Sequence, residues 1–174
     1  EIILAALKVF ERDGFHKAKV SDIAKAANIG KGTIYEYFSS KKDLFEEMAK
    51  YCINQYITET KEYIDREASP IEKLKRYIEI EREVMDKYGN IANIIFQEVD
   101  KICNEVRNII IAARNKKISL LEKILEDGIR EGIFRRVNPY TFAVLFMGGT
   151  HQLVADELLF NKPDEPSSFN QEDL

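Results

Sequence analysis

Apolar residues recur three and four positions apart along most of the chain, and no stretch alternates with a period of two, so the pattern predicts an all-α protein. Ile3, Ala6, Leu7 and Phe10 stripe a first helix, and Gly14 is placed to end it. Val20, Ile23, Ala24 and Ala27 mark a second, short amphipathic helix, while Ile34 and Phe38, four apart, mark a third beyond a tight turn. Both stripes can share one small core with Ile29, which predicts a helix-turn-helix. Ser39-Ser40 then supplies a cap, and Lys41 to about Glu67 reads as one long helix with Leu44, Met48, Cys52 and Tyr56 on its buried side.

Ser69-Pro70 starts the next helix by the same logic of a capping residue followed by proline, and Tyr88-Gly89-Asn90 is expected to end it. A short helix with Ile91, Ile94, Ile95 and Val99 should follow, then a longer one from about Asn104 to Gly132. Asn138-Pro139 repeats the cap-plus-proline device. The helix it opens is apolar nearly all round from Phe142 to Gly149, so it calls for burial on more than one side. Gly148-Gly149 inside it costs about 1 kcal/mol per glycine relative to alanine. Close approach at a dimer seam would offset that, and a kink above a pocket is the competing reading. Lys162 to Ser168 is a loop by composition.

The packing of the two short helices leaves Lys31, Gly32, Thr33, Tyr35 and Tyr37 on an outer face at the start of the third helix, where free amides and the positive end of the helix dipole suit phosphates and base edges. The tyrosines offer hydroxyls and rings, Thr33 a short polar reach, Lys31 and Lys41 charge, and Lys19 a further phosphate contact. Gly32 removes a side chain where backbone must come close. A solvated polar face is the plain alternative, and two exposed tyrosines beside a lysine and a threonine argue against it. The string I-A-x-x-A-x-I-G-K-G-T-I-Y-x-Y-F-x-x-K-x-x-L, from Ile23 to Leu44, resembles the DNA-binding domain of the TetR family of bacterial repressors. The resemblance covers about Glu1 to Met48. It implies an N-terminal three-helix DNA-binding domain over residues 1–45, joined by the long helix to a helical effector-binding and dimerisation domain over 46–174.

Three positions depart from the family pattern. Lys19 and Asp22 stand where a threonine and its acidic partner usually form a capping box, leaving Ser21 as the remaining candidate cap. Asn28 replaces the turn glycine and tolerates the left-handed conformation. Gly30 replaces a capping serine and offers only backbone. Against the family pattern, a basic N-terminal arm and a last C-terminal helix are also expected beyond the ends of this sequence.

Charge changes the picture in its distribution. The net charge of -4 argues against nucleic acid. Residues 1–50, however, hold nine Lys/Arg against eight Asp/Glu, so the acidic excess lies in the remainder. A mildly basic head would bind DNA through a local patch, with the acidic body repelled from the duplex. Cys52 and Cys103 do not make a metal site and read as reduced core residues of a cytoplasmic protein. The longest apolar run falls short of the roughly 20 residues that span a bilayer. His16 and His151 are the two histidines, and no nucleophile, zinc or phosphate-loop motif occurs, so neither an enzyme nor a cofactor is expected.

Tyr77, Met85, Phe96, Cys103, Arg107, Phe142 and Phe146 are the candidates for an effector pocket in the body, although any one of them is ordinary core by residue type. An apolar, partly aromatic interior favours a lipophilic effector such as an acyl chain or an aromatic compound. The reading is a homodimeric repressor that leaves a palindromic operator when a small molecule enters the body. The alternative is a helical ligand carrier or enzyme with a vestigial helix-turn-helix, which would show no salt-dependent DNA binding.

Overall fold

Capping chemistry explains most of the element boundaries in the computed structural model, which describes the backbone of residues 1–102 and 104–160. Side chains are described over the same ranges except at 87, 90, 93, 96–102, 104 and 158–160. Seven helices are found there, α1 (Ile2–Lys17), α2 (Val20–Ala26), α3 (Lys31–Tyr37), α4 (Lys41–Asp65), α5 (Pro70–Ile102), α6 (Asn104–Arg130) and α7 (Pro139–Phe160), and no strand among the described residues. The expected loop from Lys162 to Ser168 lies outside the described residues. So does Cys103.

Ser40 Oγ accepts the Asp43 amide at 3.1 Å, and the Asp43 carboxylate accepts the Ser39 amide at 2.7 Å and the Ser39 hydroxyl at 2.9 Å, so the entry to α4 is satisfied from both directions. Ser69 Oγ accepts the Glu72 amide at 3.2 Å, and Asn138 Oδ1 accepts the Thr141 amide at 2.9 Å, as the two proline-led starts require. α6 ends on Gly132 at φ +75°, where the Ile133 amide reaches back to the Gly128 carbonyl at 2.9 Å.

Two boundaries differ from expectation. Gly14 interrupts α1 with φ 71° but does not end it, because a last turn re-forms and the Ala18 amide bonds to the Gly14 carbonyl at 3.2 Å. α5 runs straight through Gly89, where a stop and a separate short helix were expected. A single interior glycine costs only about 1 kcal/mol. Burying Ile91 and Ile95 on one stripe outweighs it.

The chain divides into two compact units, one of residues 1–59 and 88–116, the other of 60–87 and 117–174. The first is built on a continuous apolar core that joins α1, α2 and α3 through Ala6, Phe10, Ile23 and Ile34 to Leu44, Phe45 and Met48 of α4, Ile91 and Ile95 of α5 and Val106 of α6. Phe10, Phe15 and Phe45 pack as an aromatic triangle, with ring centroids 5.0 to 6.0 Å apart. The second unit buries Ile64, Tyr77, Ile80, Ile118, Leu121, Ile124, Leu125, Ala143 and Val154.

Candidate nucleic-acid interface

α2 and α3 are held at a fixed angle by the turn between them. After α2 the chain turns left-handed at Asn28, φ 55°, with the Asn28 amide on the Lys25 carbonyl at 3.1 Å and the Ile29 amide on the Ala24 carbonyl at 3.0 Å. This is a Schellman closure in which asparagine takes the place usual for glycine. Ile29 packs on the same core as Ala24, the hydrophobic contact that accompanies such a closure. Gly30 then begins α3 with no side-chain cap. Lys19 begins α2, also without a side-chain cap, so Ser21 does not act as the alternative cap that the sequence left open.

Burying Ile34 at 1% exposure fixes which face of α3 looks outward. Tyr35 is 48% and Tyr37 70% exposed, Lys31, Gly32 and Lys19 are exposed, and Thr33 is half-buried. Lys31 Nζ sits 5.8 Å from the centroid of the Tyr35 ring one turn away, so the two present a joint cationic and aromatic surface. Thr33 and Tyr37 lie on a second edge of the helix, where with Ile2, Ile3, Ile29 and Phe38 they line an open concavity of about 410 Å³ beside the start of α1. A Cβ added at Gly32 would meet nothing within 4 Å. The structure thus brings Lys31, Gly32, Thr33, Tyr35 and Tyr37 onto one short helix, with Lys19 at the start of its neighbour.

Lys41 departs from the expectation of a DNA-facing side chain. Its Nζ donates to the backbone carbonyls of Phe15 at 2.8 Å, Ala18 at 3.0 Å and His16 at 3.2 Å, and stands 4.8 Å over the Phe15 ring. A lysine ammonium has three N–H donors, and all three are occupied within the head. The cause is the end of α1, which presents carbonyls without intrahelical partners and the negative end of its dipole. Lys41 closes that end and ties the first turn of α4 to it. Sequence reasoning missed Phe15, whose ring seats the lysine; a phenylalanine directly after a helix-breaking glycine was the available signal.

The effector candidates fall differently. Tyr77, Phe146 and Phe142 come together in the second unit, with ring centroids 5.9 Å apart for the first pair and 6.3 Å for the second. Met85 is half-buried further along α5 in the same unit, whereas Arg107 is exposed on α6 in the first unit. The side chains of Phe96 and Cys103 lie outside the described residues. Among the described residues no cluster of His, Cys, Asp or Glu could hold a metal ion, and no helix is long and apolar enough to cross a membrane.

Comparison with known proteins adds what geometry alone does not. The family profile described as "Bacterial regulatory proteins, tetR family" matches residues 2–48, and the one described as "Tetracyclin repressor-like, C-terminal domain" matches 67–155. The Fatty acid metabolism regulator protein of Bacillus subtilis is 33% identical over 76% of this chain and 68% of its own length. The HTH-type transcriptional repressor KstR2 of Mycobacterium tuberculosis is 26% identical over 78% of this chain and 68% of its own. Among solved structures, FadR of Bacillus subtilis in complex with stearoyl-CoA superposes with a TM-score of 0.71 at 29% identity, covering 91% of this chain and 86% of that one. With profiles matching both the helix-turn-helix and the body, this chain belongs to the TetR family of bacterial transcriptional regulators.

Proposed function

We propose that the protein is a cytoplasmic repressor whose residues 1–45 read DNA and whose residues 46–174 dimerise and bind an acyl-thioester effector. Its named relatives are regulators, and the chain is a transcriptional regulator rather than an enzyme. The observation that carries the DNA-binding role is the outward face of α3, where Lys31, Tyr35 and Tyr37 stand exposed on a helix pinned by the buried Ile34. Two such helices, one per protomer, would enter successive major grooves of a palindromic operator. Tyr35 and Tyr37 meet phosphate or thymine methyls, Lys31 and Lys19 neutralise phosphate, and Thr33 reaches a base edge. Lys41 serves the interface by holding the helices in place, and leaves direct phosphate contact to the others.

α7 supports the dimer. Its inner side buries Ala143, Thr150 and Val154, while Tyr140, Phe142, Leu145 and Leu153 remain exposed around Gly148 and Gly149, with nothing within 4 Å of a Cβ at either glycine. A second copy of the same helix would cover that surface. The effector reading draws on the likeness to FadR, whose structure holds stearoyl-CoA, and on the Tyr77, Phe142 and Phe146 rings, which lie in the same unit as Met85. The deciding experiment is a fluorescence-anisotropy titration of the protein on promoter DNA from its own gene region, with and without long-chain acyl-CoA. Salt-dependent binding that acyl-CoA reverses is expected; binding that acyl-CoA leaves untouched removes the effector assignment.

A further inference from the structure

Polar side chains are buried in the second unit without the partners that burial demands. Tyr77 of α5 is fully buried, and its hydroxyl, which feels the Glu81 carboxylate one turn on, makes no hydrogen bond of 3.5 Å or less among the described residues. Thr60 of α4, 1% exposed, carries a second unpartnered hydroxyl. One turn beyond Tyr77, Glu81 is also buried and receives Lys117 of α6 in an ion pair of 2.7 Å, both side chains being 15% exposed or less. The Lys117 ammonium lies 5.6 Å from the centroid of the Tyr77 ring. From that ring the contacts run to Phe146 and on to Phe142, so the buried polar group is backed by a cluster of aromatic rings.

An unpartnered hydroxyl in an apolar interior is costly, and replacing it by a carbon-only ring would relieve that cost. The arrangement becomes favourable when a molecule brings an oxygen to the Tyr77 proton. We propose that the Tyr77 hydroxyl, backed by the Glu81 and Lys117 pair, is the hydrogen-bonding point of the effector site and selects an uncharged oxygen, such as a thioester carbonyl, over a free carboxylate. The charge balance makes the selection. Lys117 is already neutralised by Glu81, so an incoming carboxylate would place a second negative charge beside Glu81 in a low-dielectric interior. A carbonyl accepts the same hydrogen bond without that repulsion. Burial and the neighbouring Glu81 carboxylate both raise the Tyr77 pKa, so the hydroxyl keeps its proton and acts as the donor. The inference rests on the acyl-thioester reading above and sharpens it.

Calorimetric titration of the full chain with stearoyl-CoA, stearamide and stearate, below their micellar concentrations, tests the idea. Wild-type protein should bind the two ligands that end the chain in an uncharged carbonyl at least about tenfold more tightly than stearate, a factor of ten being ~1.4 kcal/mol. Tyr77→Phe should lose about tenfold on both stearoyl-CoA and stearamide, the worth of one hydrogen bond, while its ligand-free melting temperature stays level or rises. Glu81→Gln, which leaves the Lys117 charge uncompensated, should narrow the gap between acid and amide. Equal affinity for acid and amide, or a Tyr77→Phe variant that binds as wild type does, overturns the proposal and leaves the acyl-thioester reading intact if stearoyl-CoA still binds and releases DNA. Discrimination between amide and acid without stearoyl-CoA binding supports the proposal and removes the thioester. Binding of none of the three removes both.

Discussion

Replacing Lys41 by methionine separates a structural lysine from a phosphate-binding one. Methionine keeps an aliphatic stem over the Phe15 ring but removes the donors to the carbonyls of Phe15, His16 and Ala18. Hydrogen bonds to a charged donor contribute about 1.5 to 3 kcal/mol each. The His16 carbonyl contact is exposed, and water replaces the ammonium there at little cost, so the contacts to Phe15 and Ala18 carry the effect. Taking the lower value for each gives about 3 kcal/mol. For a cooperative unit in a chain of this size that corresponds to a fall in melting temperature on the order of 8 °C. Operator affinity should fall as well, because the start of α4 is no longer tied to the end of α1. The slope of log affinity against log salt should stay the same, since no phosphate partner has been removed. Differential scanning fluorimetry and anisotropy at several salt concentrations read the two effects. An unchanged melting temperature with a slope shallower by about 0.9 would put Lys41 on a phosphate and refute the structural role.

The exposed face of α3 should behave in the opposite way. Tyr35→Ala is expected to leave the melting temperature within about 1 °C of wild type, as surface substitutions do, and to weaken operator binding by about tenfold or more in anisotropy; unaltered affinity would remove Tyr35 from the interface. Asp43 accepts the Ser39 amide and hydroxyl, which holds its pKa below the ordinary 3.8. A depressed carboxylate stabilises the fold above its unfolded pKa and loses that contribution as pH falls through the folded value. Asp43→Asn should therefore lower the melting temperature at neutral pH, with the deficit against wild type closing in acid below the usual carboxylate range; a deficit independent of pH would contradict the assignment. Gly149→Leu adds bulk to the exposed side of α7, and sedimentation velocity should show a dimer converted wholly or partly to monomer, whereas an intact mutant dimer would place the seam elsewhere.

The head was legible because its signals are local. A stripe at helical spacing, a turn with a residue that accepts left-handed geometry and a pair of serines before Lys41 each act within a few residues, and the caps at Ser40, Ser69 and Asn138 stand where the sequence puts them. What was not legible depends on distant partners. Gly89 looks like a stop until Ile91 and Ile95 are seen buried in the core of the first unit. Lys41 looks like a phosphate ligand until the carbonyls some twenty-five positions earlier are seen to converge on it. In the same way, Tyr77 reads as plain aromatic core until Lys117, contributed by a different helix, is found over its ring.

The division of the chain bears on how a ligand could be felt by DNA. α4, α5 and α6 are each continuous across the division between the units, at 59/60, 87/88 and 116/117. None of these crossings contains a proline, and helices bend sharply only at prolines, glycine or serine pairs and similar interruptions. Gly89 of α5 is the glycine nearest to a crossing, and α5 stays helical through it. No loop interrupts any of the three helices at its crossing. In the first unit α4 is held at its start by Lys41 on the end of α1, and further along by Lys50, which bonds Glu105 of α6 at 3.1 Å and Glu47 at 2.8 Å. The Lys50 pairs are largely exposed and contribute little by themselves, so the Lys41 closure is the firmer of the two anchors, and a ligand changes DNA affinity only through its differential affinity for two conformations.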